Sequence, residues 1–90
     1  MLSLRYTTAF KQDYKRLLKR GYDMAKLRQV VEHLAGDEPN AEQYQDHPLR
    51  GNYAGARDCH VEPDWVLIYA IVGKELRLIR TGIHSDLFKK

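Results

Sequence analysis

The chain has 90 residues, and its 15 lysines and arginines exceed its 12 aspartates and glutamates, so the net charge is +3 with neutral histidines. This length predicts a single domain over residues 1–90 and leaves little room for a second module. A sequence pI of about 9.1 favours an anionic partner, such as nucleic acid or an acidic protein.

The single cysteine and the lack of long apolar segments indicate the cellular compartment of the protein. Cys59 is the only cysteine, so no internal disulfide can form, which favours a reducing environment. No signal-peptide pattern is present, and no run approaches the roughly 20 apolar residues that cross a bilayer. These features predict a cytoplasmic protein with no membrane partner.

The first part of the chain predicts one strand and two helices. Alternating apolar residues mark the strand at 2–6. Thr7 or Thr8 can cap a first helix, which has apolar residues at every third or fourth position, a basic outer face, and Gly21 at its end. Asp23 can cap the second helix. The short connection predicts an antiparallel helical hairpin.

The rest of the chain predicts a loop and three strands. Residues 37–56 are polar and broken by proline and glycine, with one short strand around 49–53. Three further strands are expected at 56–62, 65–72 and 76–83, joined by tight turns into an antiparallel meander. The order β-α-α-β-β-β predicts an α+β fold, in which the helical hairpin covers one face of an antiparallel sheet.

Three histidines and one aspartate are candidates for acid–base chemistry: His47, His60, Asp64 and His84. RNA is cut without a metal ion when a base removes the 2′-hydroxyl proton and an acid protonates the leaving 5′-oxygen. Histidine suits both transfers, because its unperturbed pKa is about 6.5. A zinc site is the competing interpretation, but no closely spaced ligand pair supports it.

Strand alternation predicts the direction of these side chains. In the strand at 56–62, Asp58, His60 and Glu62 share a polar face, and the two acids are possible partners for arginines on neighbouring strands.

In the last strand, Arg80 and His84 end a row that begins with the apolar Leu76 and Leu78. This break in an otherwise apolar row indicates function.

Two aromatic residues and two arginines are candidate contacts for RNA. Trp65 and Phe88 can stack a base, a contact worth about 1–3 kcal/mol, although Trp65 also fits a core position. Arg57 and Arg80 can neutralise phosphate or pair with an acid.

The chain closely resembles the YafQ-like mRNA interferase toxins of the RelE/ParE toxin–antitoxin superfamily. The segments that carry the resemblance are 46–49, 57–58, 60–69, 76–77, 80–82, His84 and 87–88. The resemblance covers nearly the whole chain and implies a RelE-like fold. It also implies a toxin of a type II toxin–antitoxin pair that enters the ribosomal A site and cuts mRNA.

The resemblance assigns roles to individual residues. It implies that His84 protonates the leaving oxygen or stabilises charge, and that His47 or His60 is the base. Asp64 completes the catalytic set, with Trp65 and Phe88 as its aromatic neighbours.

The implied partners are a cognate antitoxin, the ribosome with its rRNA, and mRNA. Operator DNA would be contacted only through the antitoxin complex, and no cofactor is implied.

Two other functions remain open at this point. A protein-binding relative, such as a ParE-type gyrase poison, has no need of a histidine-rich cleft. A non-catalytic nucleic-acid-binding module would use the basic helix and tolerate loss of the histidines, and its binding would weaken steeply with salt.

Overall fold

The computed structural model describes residues 2–36, 47–48 and 55–87. Its elements are β1 (Ser3–Tyr6), α1 (Thr8–Lys19), α2 (Met24–Ala35), β2 (His47–Pro48), β3 (Arg57–Glu62), β4 (Trp65–Val72), β5 (Glu75–Ile83) and α3 (His84–Leu87). The predicted α+β class and the order of the main elements are confirmed. The predicted strand at 49–53 lies outside the described residues.

The described strands form one sheet in the order β1-β5-β4-β3-β2. The β3-β4-β5 meander is antiparallel, as predicted. The sheet as a whole is mixed, because β1 pairs in parallel with β5. The α1–α2 hairpin separates β1 from the meander in sequence, which permits a parallel pairing that a tight hairpin cannot make.

Both long helices begin at the predicted caps. Thr7, and not Thr8, accepts a hydrogen bond from the Phe10 N–H at 2.9 Å. Asp23 accepts one from the Ala25 N–H at 3.1 Å. Such caps satisfy backbone donors that have no partner within the helix. After α1 the chain reverses at Gly21, whose φ of 83° is readily adopted only by glycine.

The sheet carries an apolar cluster on each face. The larger one packs the helices against the sheet and includes Phe10, Leu17, Leu27, Val30, Leu34, Ala35, Cys59, Trp65, Leu67, Tyr69, Leu76 and Leu78. The smaller one consists of Ala56, Val66, Ile68 and Leu87. The face without the helical hairpin is therefore partly covered, because Leu87 brings α3 onto it.

A β-bulge in β3 removes Glu62 from the predicted polar face of this strand, whereas Asp58 and His60 still share one side. The pairing with β4 shifts between His60 and Glu62, and such a bulge changes the side to which the following residue points. Glu62 accordingly contacts Lys26 on α2, with Nζ and Oε2 2.6 Å apart. The hydrogen bond to Glu62 raises the pKa of Lys26. Asp58 is buried rather than solvated, with 2% of its surface exposed.

A second irregularity interrupts the row predicted along β5. The β4–β5 register shifts between Ile68 and Tyr69, so that Tyr69 pairs with Leu78 but Ile68 pairs with Arg80. Thr81 pairs with Leu67, which belongs to the larger apolar cluster. Thr81 therefore follows Leu78 in the row of side chains that faces the helices, at the position that simple alternation assigns to Arg80.

No helix among residues 2–36, 47–48 and 55–87 is long and apolar enough to cross a membrane.

Candidate active site

Three of the four predicted catalytic residues lie together at one end of the meander. His60 is near the end of β3, Asp64 is in the β3–β4 turn, and His84 follows β5 as the first residue of α3. Trp65 pairs with Ile83, so Asp64 and His84 are the next residues outward on two adjacent strands. Strand pairing thus brings residues 20 positions apart in sequence into contact.

Two contacts of His84, one with Asp64 and one with His60, define this cluster. The Nδ1 atom of His84 lies 3.2 Å from Oδ1 of Asp64. The rings of His60 and His84 have centroids 5.5 Å apart and are tilted by 37°. The His84 side chain is 44% exposed and that of Asp64 is 71% exposed, so both can meet a ligand from solution.

The Asp64 contact determines which nitrogen of His84 is available for chemistry. An ionised carboxylate only accepts hydrogen bonds, so Nδ1 of His84 carries the hydrogen when it bonds to Asp64. The Nε2 atom is the ring nitrogen that does not contact Asp64. Orientation of an imidazole by a carboxylate is a recurring arrangement in acid–base catalysis.

His47 lies on the strand next to this cluster. Its backbone pairs with Asp58 in β3, two residues before His60. The side chains of His47 and Phe88 lie outside the described residues, so their participation remains a prediction.

The structure corrects the role predicted for Trp65. The side chain is 1% exposed and packs in the main core. Its ring meets Tyr22 edge-on, with centroids 5.1 Å apart, and its Nε1 donates to Oγ1 of Thr81 at 2.9 Å. An RNA base cannot stack on a ring that protein atoms already cover.

The predicted phosphate contact of Arg80 also needs correction, because its guanidinium is held by Asp13. The Nε and NH2 groups donate to the two carboxylate oxygens at 2.6 and 3.0 Å. The partner is thus an acid on α1, and not one on a neighbouring strand. Arg57 is exposed at the start of β3, and its contact with phosphate stays a prediction.

Sequence reasoning missed Asp13, although a signal was present. Asp13 is the only acid in α1 and lies three residues after Phe10 and four before Leu17. This spacing places it on the apolar side of a basic helix, and its exposure of 1% agrees. An acid on a buried helix face requires cationic partners, so the need for a cation beside Asp13 could have been inferred, although not which residue supplies it.

Two contacts hold α3, and with it His84, against the body of the protein. Leu87 is buried in the smaller apolar cluster, and Asp86 forms an ion pair with Arg20 at 3.2 Å. Residues 84–87 therefore form a helical turn that is packed against the sheet.

A separate groove of about 610 Å³ lies between α1, α2 and β1. Its apolar lining includes Tyr6, Phe10, Tyr14, Leu27 and Val31, and its charged lining is Lys11, Lys15, Arg28 and Glu32. His60, Asp64 and His84 do not line this groove.

Among the described residues, no group of three or more histidine, cysteine, aspartate or glutamate side chains is arranged to hold a metal ion.

The fold is that of the bacterial toxins of type II toxin–antitoxin systems, as a superposition on a solved relative and a family model show. The structure superimposes on the crystal structure of the Escherichia coli DinJ–YafQ complex with a TM-score of 0.90 and 43% identity, covering 98% of this chain and 99% of the other.

Sequence comparison gives the family. The family model described as a bacterial toxin of a type II toxin–antitoxin system, YafQ, matches residues 2–89. The mRNA interferase toxin YafQ of Escherichia coli strain K12 is 44% identical over 86 residues, or 94% of each chain. A putative toxin YafQ of Haemophilus influenzae is 37% identical over 92 residues, which cover 94% of this chain and 90% of the relative. The chain belongs to the YafQ toxin family.

Proposed function

We propose that this protein is a ribosome-dependent endoribonuclease that cleaves mRNA in the ribosomal A site and thereby inhibits translation. The observation that carries the proposal is the contact of His84 with both Asp64 and His60 at an exposed end of the sheet. A relative named as an mRNA interferase supports the same reaction. Acid–base catalysis of this kind needs no metal ion.

In the proposed reaction, a base takes the proton of an mRNA 2′-hydroxyl, and the resulting oxyanion attacks the adjacent phosphate. The bond to the 5′-oxygen then breaks, leaving a 2′,3′-cyclic phosphate and a 5′-hydroxyl. His84, oriented through Nδ1 by Asp64, donates the proton to the leaving oxygen from Nε2. His60, whose ring lies beside that of His84, or His47 on the adjacent strand takes the first proton.

The basic outer face of α1 is suited to hold the toxin on rRNA. Lys11, Lys15 and Lys19 are all exposed, and lysines bind the phosphate backbone in a manner independent of base sequence. The ribosome then supplies the position of the mRNA, and the toxin supplies the proton-transfer groups.

The test is to incubate the purified protein with a defined mRNA, with and without translating ribosomes, and to map new 5′ ends. We expect cuts only with ribosomes. Cuts in naked RNA would show a free-standing ribonuclease and overturn the ribosome dependence. Absence of cuts under both conditions would overturn the nuclease proposal, and gyrase inhibition would be assayed next.

The groove between α1, α2 and β1 is the proposed binding site of the cognate antitoxin. Its apolar floor suits the apolar side of an amphipathic segment, and three cations against one acid on its lining favour an acidic partner. A segment bound there would also mask Lys11 and Lys15 from rRNA, which links neutralisation to occupancy of the groove. Operator DNA would be bound mainly by the antitoxin, and the pair would act in the cytoplasm.

The double variant Lys11→Glu/Lys15→Glu is expected to raise the Kd for the antitoxin encoded beside the toxin by roughly tenfold, because two attractive contacts become repulsive. Titration calorimetry at low and high salt measures this, and the difference should shrink at high salt. Lys19→Glu reverses one charge on α1 outside the groove, half the charge change of the double variant, and is expected to alter Kd less than about twofold. Equal weakening by the control would show that charge alone, and not the groove, attracts the antitoxin.

A further inference from the structure

A buried polar network connects α1 to the strand ends that carry the catalytic pair. Its centre is Asp13, which is 1% exposed. Besides Arg80, the carboxylate binds the backbone N–H of Thr81 at 3.2 Å and NH2 of Arg16 at 3.2 Å. Asp13 thus fixes two consecutive residues of β5 from the helix packed above them.

The network continues from β5 into β4 through Thr81. The Thr81 hydroxyl is fully buried; it donates to the carbonyl of Val66 at 3.0 Å and accepts from Nε1 of Trp65 at 2.9 Å. Asp64 immediately precedes Trp65, and His84 is three residues after Thr81. Trp65, Val66 and Thr81 therefore each lie within three residues of one member of the catalytic pair, and Arg80 lies four residues before His84.

The contact between His84 and Asp64 needs support from the rest of the fold. The contact between His84 and Asp64 spans 3.2 Å between a turn and the start of a four-residue helix, neither of which fixes its own position by strand pairing. A displacement of about 1 Å is enough to lower a catalytic rate by two orders of magnitude. A buried ion pair stabilises a fold weakly, since desolvation offsets attraction, but it holds a definite geometry.

From these contacts we infer that Asp13 is a positioning residue, which acts through Arg80 and Thr81 to hold Asp64 and His84 in register. Arg80 and Trp65 then serve the reaction by placing the catalytic pair and not by touching RNA. The expected effect on kcat rests on the proposed nuclease function. The expected effect on the position of His84 does not depend on activity.

The test uses Asp13→Asn and Thr81→Val, which preserve shape but remove the charge or the hydroxyl. Thr81→Ser is the rescue variant, because it keeps the hydroxyl. Glu75→Gln is the matched control, since it disrupts exposed ion pairs with Arg5 and Arg77 at the opposite end of β5. Thermal unfolding of each variant establishes that it is folded at the assay temperature.

Two readouts are compared. On translating ribosomes, we expect Asp13→Asn and Thr81→Val to lower kcat by roughly ten- to a hundredfold with little change in KM, and Thr81→Ser and Glu75→Gln to stay near the wild-type kcat. In NMR spectra recorded without ribosomes, the ring signals of His84 should shift in both variants towards those of Asp64→Asn, which removes the carboxylate charge from the contact.

Folded Thr81→Val protein with a wild-type kcat and wild-type His84 ring signals would overturn the positioning role. A loss of activity that matches the unfolded fraction, with unchanged His84 ring signals, would also overturn it. Should the wild-type protein cut no RNA at all, the proposed nuclease function fails, and the NMR comparison still decides whether Asp13 holds the pair.

Discussion

His84→Ala is expected to lower the rate of ribosome-dependent mRNA cleavage by a factor of about 10²–10⁴, the usual contribution of one general acid or base. The side chain is 44% exposed, so its removal should change the free energy of unfolding by no more than about 0.5 kcal/mol. Single-turnover cleavage on programmed ribosomes and urea unfolding measure the two quantities.

Two companion variants make this experiment specific. Asp64→Asn keeps the shape of the side chain but replaces an acceptor-only carboxylate by an amide. The imidazole of His84 is then present but less well oriented, so the cleavage rate should fall by less than in His84→Ala. His33→Ala makes the same deletion on α2, seven residues beyond Lys26 and away from the cluster, and should leave cleavage unchanged. If His84→Ala cleaved as fast as His33→Ala, His84 would have no part in the proton transfers.

Local patterns predicted the helices because their signals are short-range. The apolar period of α1 and α2 and the caps Thr7 and Asp23 involve residues two to four positions apart, and a hydrogen bond confirms each cap. The strands of the meander were predicted for the same reason, since alternation and turn residues are read within one segment.

The side-chain directions could not be read in this way, because they depend on two β-bulges. A bulge adds one residue to one strand and reverses the alternation after it. Glu62 therefore joins Lys26 on the helix side, and Thr81 takes the inward position assigned by simple alternation to Arg80. Neither bulge has an evident marker in the sequence.

The residue types of the site could be predicted from the sequence, whereas the contacts between these residues are known only from the structure. His60, Asp64 and His84 were chosen as proton-transfer groups, and their proximity follows from pairing of β4 with β5. The pairing of Asp13 with Arg80 joins residues 67 positions apart, and no local rule links them. Trp65 had two interpretations from sequence, because a large aromatic side chain next to an exposed acid fits both a core and a base platform.

Trp65→Ala is expected to lower the free energy of unfolding by about 3–5 kcal/mol, as for other large side chains deleted from a core. The residue is 1% exposed and loses both its edge-on contact with Tyr22 and its hydrogen bond to Thr81. Since the free energy of unfolding of small domains is only about 5–15 kcal/mol, the variant is expected to lose a substantial part of its stability. Urea unfolding of the purified variant measures the loss.

Trp65→Phe separates the packing role from a stacking role. Phenylalanine keeps most of the apolar volume and a flat ring, but it lacks the indole N–H, so Thr81 loses one buried donor. We expect a smaller loss of stability, about 1–3 kcal/mol, together with reduced cleavage because the strand end that carries Asp64 is less firmly held. If Trp65 instead stacked on RNA, Trp65→Phe would retain cleavage and Trp65→Ala would be stable but inactive. The two variants thus decide whether the tryptophan acts on the substrate or on the position of its neighbour.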